Sequence, residues 1–141
     1  MPEWTPADQR EREIALDPRR SFIVQAPAGS GKTELLIQRV LALLATVESP
    51  EEIVAITFTR KAAGEMRDRI QLALTGAQSE QPPPDAHKQR TWALARAVRA
   101  RDAQRAWGLE ENAGRLRILT IDSLCAALAR QMPVLSRFGA P

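Results

Sequence analysis

Apolar residues recur along this chain at two spacings. Through Lys32–Val47 (KTELLIQRVLALLATV) leucine and isoleucine fall three and four residues apart, the period of an amphipathic helix. The run EIVAITF at 52–58 is too short and too β-branched for an independent helix and reads as a buried parallel strand. RLRILTI at 115–121 reads as another strand, and SFIVQ at 21–25 as a short β-rich run entering a glycine-containing turn. Helical spacing predicts further helices over KAAGEMRDRIQLAL (61–74) and DSLCAALARQM (122–132), the latter capped by Asp122 or Ser123 before Pro133. TPADQREREIAL (5–16) reads as an opening helix, with Thr5 as cap, Pro6 at the first helical position and Asp8 in the third place of a capping box; it ends near Asp17-Pro18. Strands and helices alternate as βαβα, which predicts an α/β fold around a parallel sheet.

The middle of the chain breaks that rhythm. TGAQSEQPPPD (75–85) is a linker or mobile loop, because three consecutive prolines exclude both helix and sheet pairing. Helix-forming alanine, leucine and arginine resume over 86–107, until Gly108 and Gly114. The basic residues there, Lys88, Arg90, Arg96, Arg99, Arg101 and Arg105, occur all around the helical wheel, which reads as a solvated face before it reads as a phosphate track. Trp92 and Trp107 read as anchors to the core. The expected organisation is one domain over 1–141, with a core from 1–75 and 115–141 and a helical insertion at about 76–114.

Composition adds little beyond exclusions. A single cysteine, Cys125, cannot form an internal disulfide and reads as a small core residue; one Cys and one His (His87) cannot supply a structural zinc site. No signal-like start is visible and no apolar run approaches the roughly 20 residues that cross a bilayer, so a reducing, cytoplasmic setting with no membrane partner is expected. A net charge of +3 is compatible with a polyanionic partner without requiring one.

The candidate chemistry begins at APAGSGKT, Ala26, Pro27, Ala28, Gly29, Ser30, Gly31, Lys32 and Thr33. This is the phosphate-cradling pattern G-x-x-x-x-G-K-[ST] with Ala26 in the first glycine's place. Gly29 and Gly31 permit the backbone to bring successive N–H groups close to phosphate oxygens beside a helix N-terminus. Lys32 would reach the β- and γ-phosphates and the Thr33 hydroxyl would hold Mg²⁺, so ATP and Mg²⁺ are the expected cofactors and a P-loop NTPase the expected fold.

A second stretch, AITFTRKAAGEMRDRI (55–70), puts Thr57, Phe58 and Thr59 at the carboxyl end of a parallel strand, where open α/β sheets place ligands. Phe58 could offer a stacking surface, and Arg60 and Lys61 could face a phosphate backbone. On these residues alone, ordinary strand-end packing before a solvated basic helix is an equal reading. Together, however, APAGSGKT and TFTRKAAGEMRDRI resemble motifs I and Ia of the UvrD/Rep/RecB group of superfamily 1 DNA helicases, and LTIDSLCAALAR (119–130) resembles motif Ib in its RecB/AddA form. The resemblance covers most of 21–130 and implies an incomplete RecA-like first motor domain. It implies that Gln9 reads adenine, that Thr57, Phe58, Thr59, Arg60 and Thr120 line a path for single-stranded DNA, and that the parent is an ATP-dependent 3′ to 5′ helicase. Relatives in that branch act in recombinational repair of DNA, often with a nuclease domain or a partner protein; no nuclease motif is visible here. Asp122 stands where the group commonly has histidine, and helix capping is the favoured reading of it.

The acidic pair that helicase-type hydrolysis needs does not follow motif Ib, which predicts the front of a longer motor, inactive by itself. Two alternatives remain: a compact P-loop NTPase or kinase that takes RILTID as its Walker B strand and Asp122 as its carboxylate, and a non-catalytic nucleotide-binding module.

Overall fold

The computed structural model describes residues 9–25, 27 and 31–131, apart from the side chain of His87. In chain order the elements are α1 (Gln9–Ile14), α2 (Lys32–Leu44), β1 (Val54–Thr57), α3 (Arg60–Gly76), α4 (Ala86–Arg105), β2 (Arg117–Thr120) and α5 (Ile121–Gln131). The opening helix is present from Gln9; its expected cap, Thr5 to Asp8, lies outside the described residues. The expected strand at 21–25 is corrected: among the described residues this segment pairs with no strand, and Ile23 is 93% exposed. A β-branched run needs a neighbour to take its N–H and C=O groups, and the two strands present pair with each other.

β1 and β2 form a parallel pair in the register Val54↔Arg117, Ala55↔Ile118, Ile56↔Leu119, Thr57↔Thr120. Alternation along the strands puts Ala55, Ile118 and Thr120 on the covered face and Val54 and Ile56 on the open one. Each strand is entered through a short 3₁₀ turn, Pro50–Glu52 before β1 and Ala113–Arg115 before β2. Those turns are tied together: the Arg115 guanidinium donates to both oxygens of Glu51, at 2.7 and 3.1 Å. A fork-to-fork pair of this kind fixes direction as well as distance, so it sets the two strand entries side by side.

The core lies on the covered face, where Ile37, Leu41 and Leu44 of α2, Ile70 and Leu74 of α3, Val98 of α4 and Ile118 of β2 meet. The 76–114 segment closes over α2 and α3, with Ala95, Val98 and Leu109 fully buried. Its tryptophans are anchors, as the sequence predicts: Trp107 is buried and donates to the Glu48 carbonyl at 2.9 Å, and Trp92 donates to the Ser79 carbonyl at 3.1 Å.

The arginines of α4 are not a solvated face. Arg96 donates to the Ala77 and Ser79 carbonyls, and Arg99 to the Leu74 carbonyl and to Glu110. Arg101 and Arg105 both reach Glu48. Carbonyl and carboxylate groups left over where α2 and α3 end and turn are thereby satisfied, which places arginines around most of the wheel without any nucleic acid. Cys125 is exposed rather than buried, because α5 lies at the edge and buries none of its side chains.

Hydrogen bonds from Arg115 first, then from Ser49, hold the Glu51 carboxyl down at about 2 against an ordinary 4.5. A depressed carboxyl contributes stability that is present above its unfolded value and lost as pH falls toward the folded one. Glu51→Gln is therefore expected to lower the thermal midpoint at pH 7, and the gap to the parent protein should close as the pH is taken from about 4.5 down to about 2. Melting curves followed by circular dichroism across that range check this; a gap that stays constant with pH would show that the ion pair carries none of it.

Candidate nucleotide and nucleic-acid site

Gly31 opens α2 with φ 87° and ψ 22°, the left-handed region that side chains with a Cβ avoid. A Cβ there would also stand 3.3 Å from Nη1 of Arg12. Both conformation and space thus demand glycine at this position. The Gly31 carbonyl already accepts the first helical bond, from the Leu35 N–H at 3.1 Å, and Lys32 and Thr33 follow as exposed residues of the first turn. An exposed lysine and hydroxyl on a helix N-terminus, entered through a left-handed glycine, fit the triphosphate and Mg²⁺ that the motif implies. Ala26, Ala28, Gly29 and Ser30 lie outside the described residues; Pro27 is exposed.

Beside Lys32 is a recess of about 500 Å³ between α1, the 20–25 segment and α2, lined among others by Arg12, Phe22, Gln25, Lys32 and Leu35. Arg39 of α2 holds its outer wall, donating to the carbonyls of Ala15 (2.7 Å), Asp17 (3.2 Å) and Arg20 (2.7 Å). The same guanidinium lies 5.1 Å from the Phe22 ring centre. Nothing in the leucine and isoleucine periodicity of α2 singled out Arg39; three carbonyls left by an irregular segment are a signal that only coordinates reveal. Gln9 sits at the start of α1 with its amide donating to Glu13 Oε1 at 3.2 Å. A larger cavity of about 750 Å³ is separate, lined by residues of α2, α3 and α4 that include Glu34, Arg69, Lys88 and Trp92.

The strand tip is accessible. Phe58 is 88% exposed, and Thr59 and Arg60 are exposed beside it. Both threonines are tied to backbone: Thr57 Oγ1 donates to the Thr59 carbonyl at 3.1 Å, and Thr59 Oγ1 accepts from the Ala62 N–H at 3.0 Å, capping α3. Thr57 is half-buried. Thr120 is placed differently: it lies opposite Thr57 in the sheet but is only 6% exposed. Its hydroxyl accepts the Ser123 N–H at 3.1 Å and shares a 2.8 Å bond with Ser123 Oγ. Thr120 therefore caps α5, the job expected of Asp122 or Ser123, and presents no open hydroxyl to a strand of DNA. Asp122 is an exposed residue of the first turn of α5. Among the described residues no three His, Cys, Asp or Glu side chains gather as a metal site.

With this geometry in place the chain was compared with known proteins, and residues 7–137 match the UvrD/REP helicase N-terminal domain. The chain belongs to that family. It is 33% identical over 131 residues to an ATP-dependent helicase/nuclease protein of Lachnoclostridium phytofermentans, covering 90% of this chain and 8% of that protein. It is 36% identical over 98 residues to the helicase/nuclease protein of the same description from Clostridium perfringens, covering 67% of this chain and 7% of that one. Against DNA helicase II of Escherichia coli it is 51% identical over 65 residues, 45% of this chain and 9% of that protein. The chain thus spans less than a tenth of each of these relatives. No solved structure matches.

Gly31→Ala is expected to cost about 1–2 kcal/mol of stability, the usual penalty of a left-handed residue with a Cβ. Chemical denaturation of the two proteins measures it; equal stability would mean that α2 can begin without the left-handed turn.

Proposed function

We propose that this UvrD/REP N-terminal domain is the nucleotide-binding front of a RecA-like motor domain in a RecB/AddA-like, ATP-dependent DNA helicase, with 76–114 as its helical insertion. The observation that carries the reading is the exposed Lys32–Thr33 turn behind a left-handed Gly31, set beside a recess large enough to admit a base and sugar. Lys32 and the backbone donors of the cradle would hold the triphosphate, and Thr33 its Mg²⁺. Mg²⁺ neutralises charge on the phosphate oxygens when bound. Gln9 would read adenine from α1, the helix that forms one side of the recess.

At the strand tip, Phe58 would stack on bases while Arg60 and Lys61 at the start of α3 meet phosphates. Contact of this kind ignores sequence and weakens with salt. The arrangement favours single-stranded DNA over duplex, since stacking needs an unpaired base face. The relatives whose names join helicase to nuclease, each a component of a larger assembly, support a partner protein and a role in recombinational break repair for the whole molecule. A reducing, cytoplasmic setting fits that role, and no helix among the described residues is long and apolar enough to cross a membrane.

Lys32→Ala is expected to abolish binding of fluorescent ATP in the presence of Mg²⁺, while circular dichroism stays unchanged; retained binding would overturn the nucleotide assignment. Phe58→Ala is expected to weaken binding of an oligo-dT strand by about 1–3 kcal/mol, with little change in the slope against salt, because stacking is lost and phosphate contacts stay. Fluorescence anisotropy at several salt concentrations checks both parts. Unchanged affinity would remove the strand tip from the DNA path.

A further inference from the structure

Two neighbouring residues of α4 reach the two helices that flank the recess. Arg90 Nη2 donates to Glu13 Oε1 of α1 at 2.6 Å, the same oxygen that takes the Gln9 amide. Thr91 Oγ1 donates to Glu34 Oε1 of α2 at 2.7 Å and accepts from Gln38 Nε2 at 3.1 Å. We propose that α4 is a positioning element of the nucleotide site, in which Arg90 holds α1 and Thr91 holds Glu34, so that together they set the recess beside Lys32.

The two contacts do different work. α1 buries none of its own side chains, so packing does not hold it. Arg39 fixes the segment that leaves it, at Ala15, Asp17 and Arg20, and Arg90 supplies a second point of attachment one turn earlier. With only one point, α1 is free to pivot, and Arg12 on the recess wall and Gln9 pivot with it. Glu34 is the residue after Thr33, in the first turn of α2, where a carboxylate turned toward a triphosphate would repel it. The hydroxyl of Thr91 keeps it on the side of the separate, larger cavity, whose lining Glu34 and Thr91 share. Lys32, by contrast, lines the recess.

This rests on the nucleotide reading above, and the test separates the two. Binding of fluorescent ATP with Mg²⁺ is measured for the parent protein and for Arg90→Ala, Arg90→Lys, Glu13→Ala, Arg90→Ala with Glu13→Ala, Thr91→Val, and Thr91→Val with Glu34→Gln. Arg105→Ala is the control, since it breaks an ion pair with Glu48 on the same helix away from the recess. Arg90→Ala and Glu13→Ala are each expected to weaken ATP about two- to fivefold, the range of an exposed ion pair, with the double variant no weaker than either single one. Arg90→Lys should recover most of the loss. Thr91→Val is expected to weaken ATP about three- to tenfold, and adding Glu34→Gln should restore it, because the freed carboxylate is then uncharged. Arg105→Ala should bind as the parent does.

Parent-like binding by Arg90→Ala or by Thr91→Val overturns the proposal, as does an equal loss in Arg105→Ala, which would mean that α4 acts only through general stability. Failure of Glu34→Gln to restore Thr91→Val overturns the electrostatic part. A folded parent protein that binds no ATP overturns instead the nucleotide reading beneath it.

Discussion

Two strands that run side by side in the same direction cannot be joined by a turn, and that constraint organises this molecule. β1 ends at Thr57 and β2 begins at Arg117, so the intervening chain must travel back along the sheet before the second strand can start. α3 makes the return across the covered face, and α4 packs over α2 and α3 before the chain reaches Arg115. The pairing then depends on entry geometry. A one-residue slip would carry Ile118 from the core to the open face, and the Glu51–Arg115 pair, three residues or fewer from each strand, resists such a slip by bridging the two entry turns.

The same constraint explains where the polar groups went. A long crossover brings helix ends and irregular loops close to buried surface, and each delivers carbonyls without helical partners. The chain meets this with arginine: Arg96 and Arg99 at the end of α3, Arg101 and Arg105 at the turn after α2, Arg115 on the Trp107 carbonyl, Arg67 on the Ile118 carbonyl and Arg39 on the 15–20 segment. Several of these are hydrogen bonds to backbone, which a net charge or a helical wheel does not record. A basic composition that invites nucleic acid as its explanation is largely taken up here by the fold.

Periodicity made the long elements legible. The helix over 32–47 is observed as Lys32–Leu44, that over 61–74 as Arg60–Gly76, and the strands at 52–58 and 115–121 as their central four residues. These segments bury a continuous stripe or alternate face, so the pattern carries the information. What the pattern could not convey was tertiary: whether a third run at 21–25 had a strand to pair with, which side chain capped α5, and whether Cys125 faced the core. Each depends on neighbours distant in sequence or on local geometry that several residues could supply. In the candidate site, the Gly31–Lys32–Thr33 turn and the exposed Phe58 were legible because their local chemistry is particular. Thr120 was misplaced because a threonine at a strand end serves equally well as a ligand contact or as a helix cap, and here its proximity to Ser123 decides for the cap.

The exposed strand tip can be understood in the same terms. A phenylalanine at 88% exposure forgoes the burial that Phe side chains ordinarily gain, about 1.5–3 kcal/mol, so its position must be held by something other than packing. The flanking threonines supply that hold. Thr57 is bonded to the Thr59 carbonyl, and Thr59 caps α3, so the backbone on both sides of Phe58 is fixed by hydroxyls that would otherwise face solvent. A ring fixed in this way loses less backbone freedom when it meets a flat partner than a ring on a loose loop does. The spacing Thr-Phe-Thr therefore has a mechanical reason independent of any direct contact by the threonines: their hydroxyls are committed to the backbone, and the aromatic is left outward at the start of a helix that begins with Arg60 and Lys61.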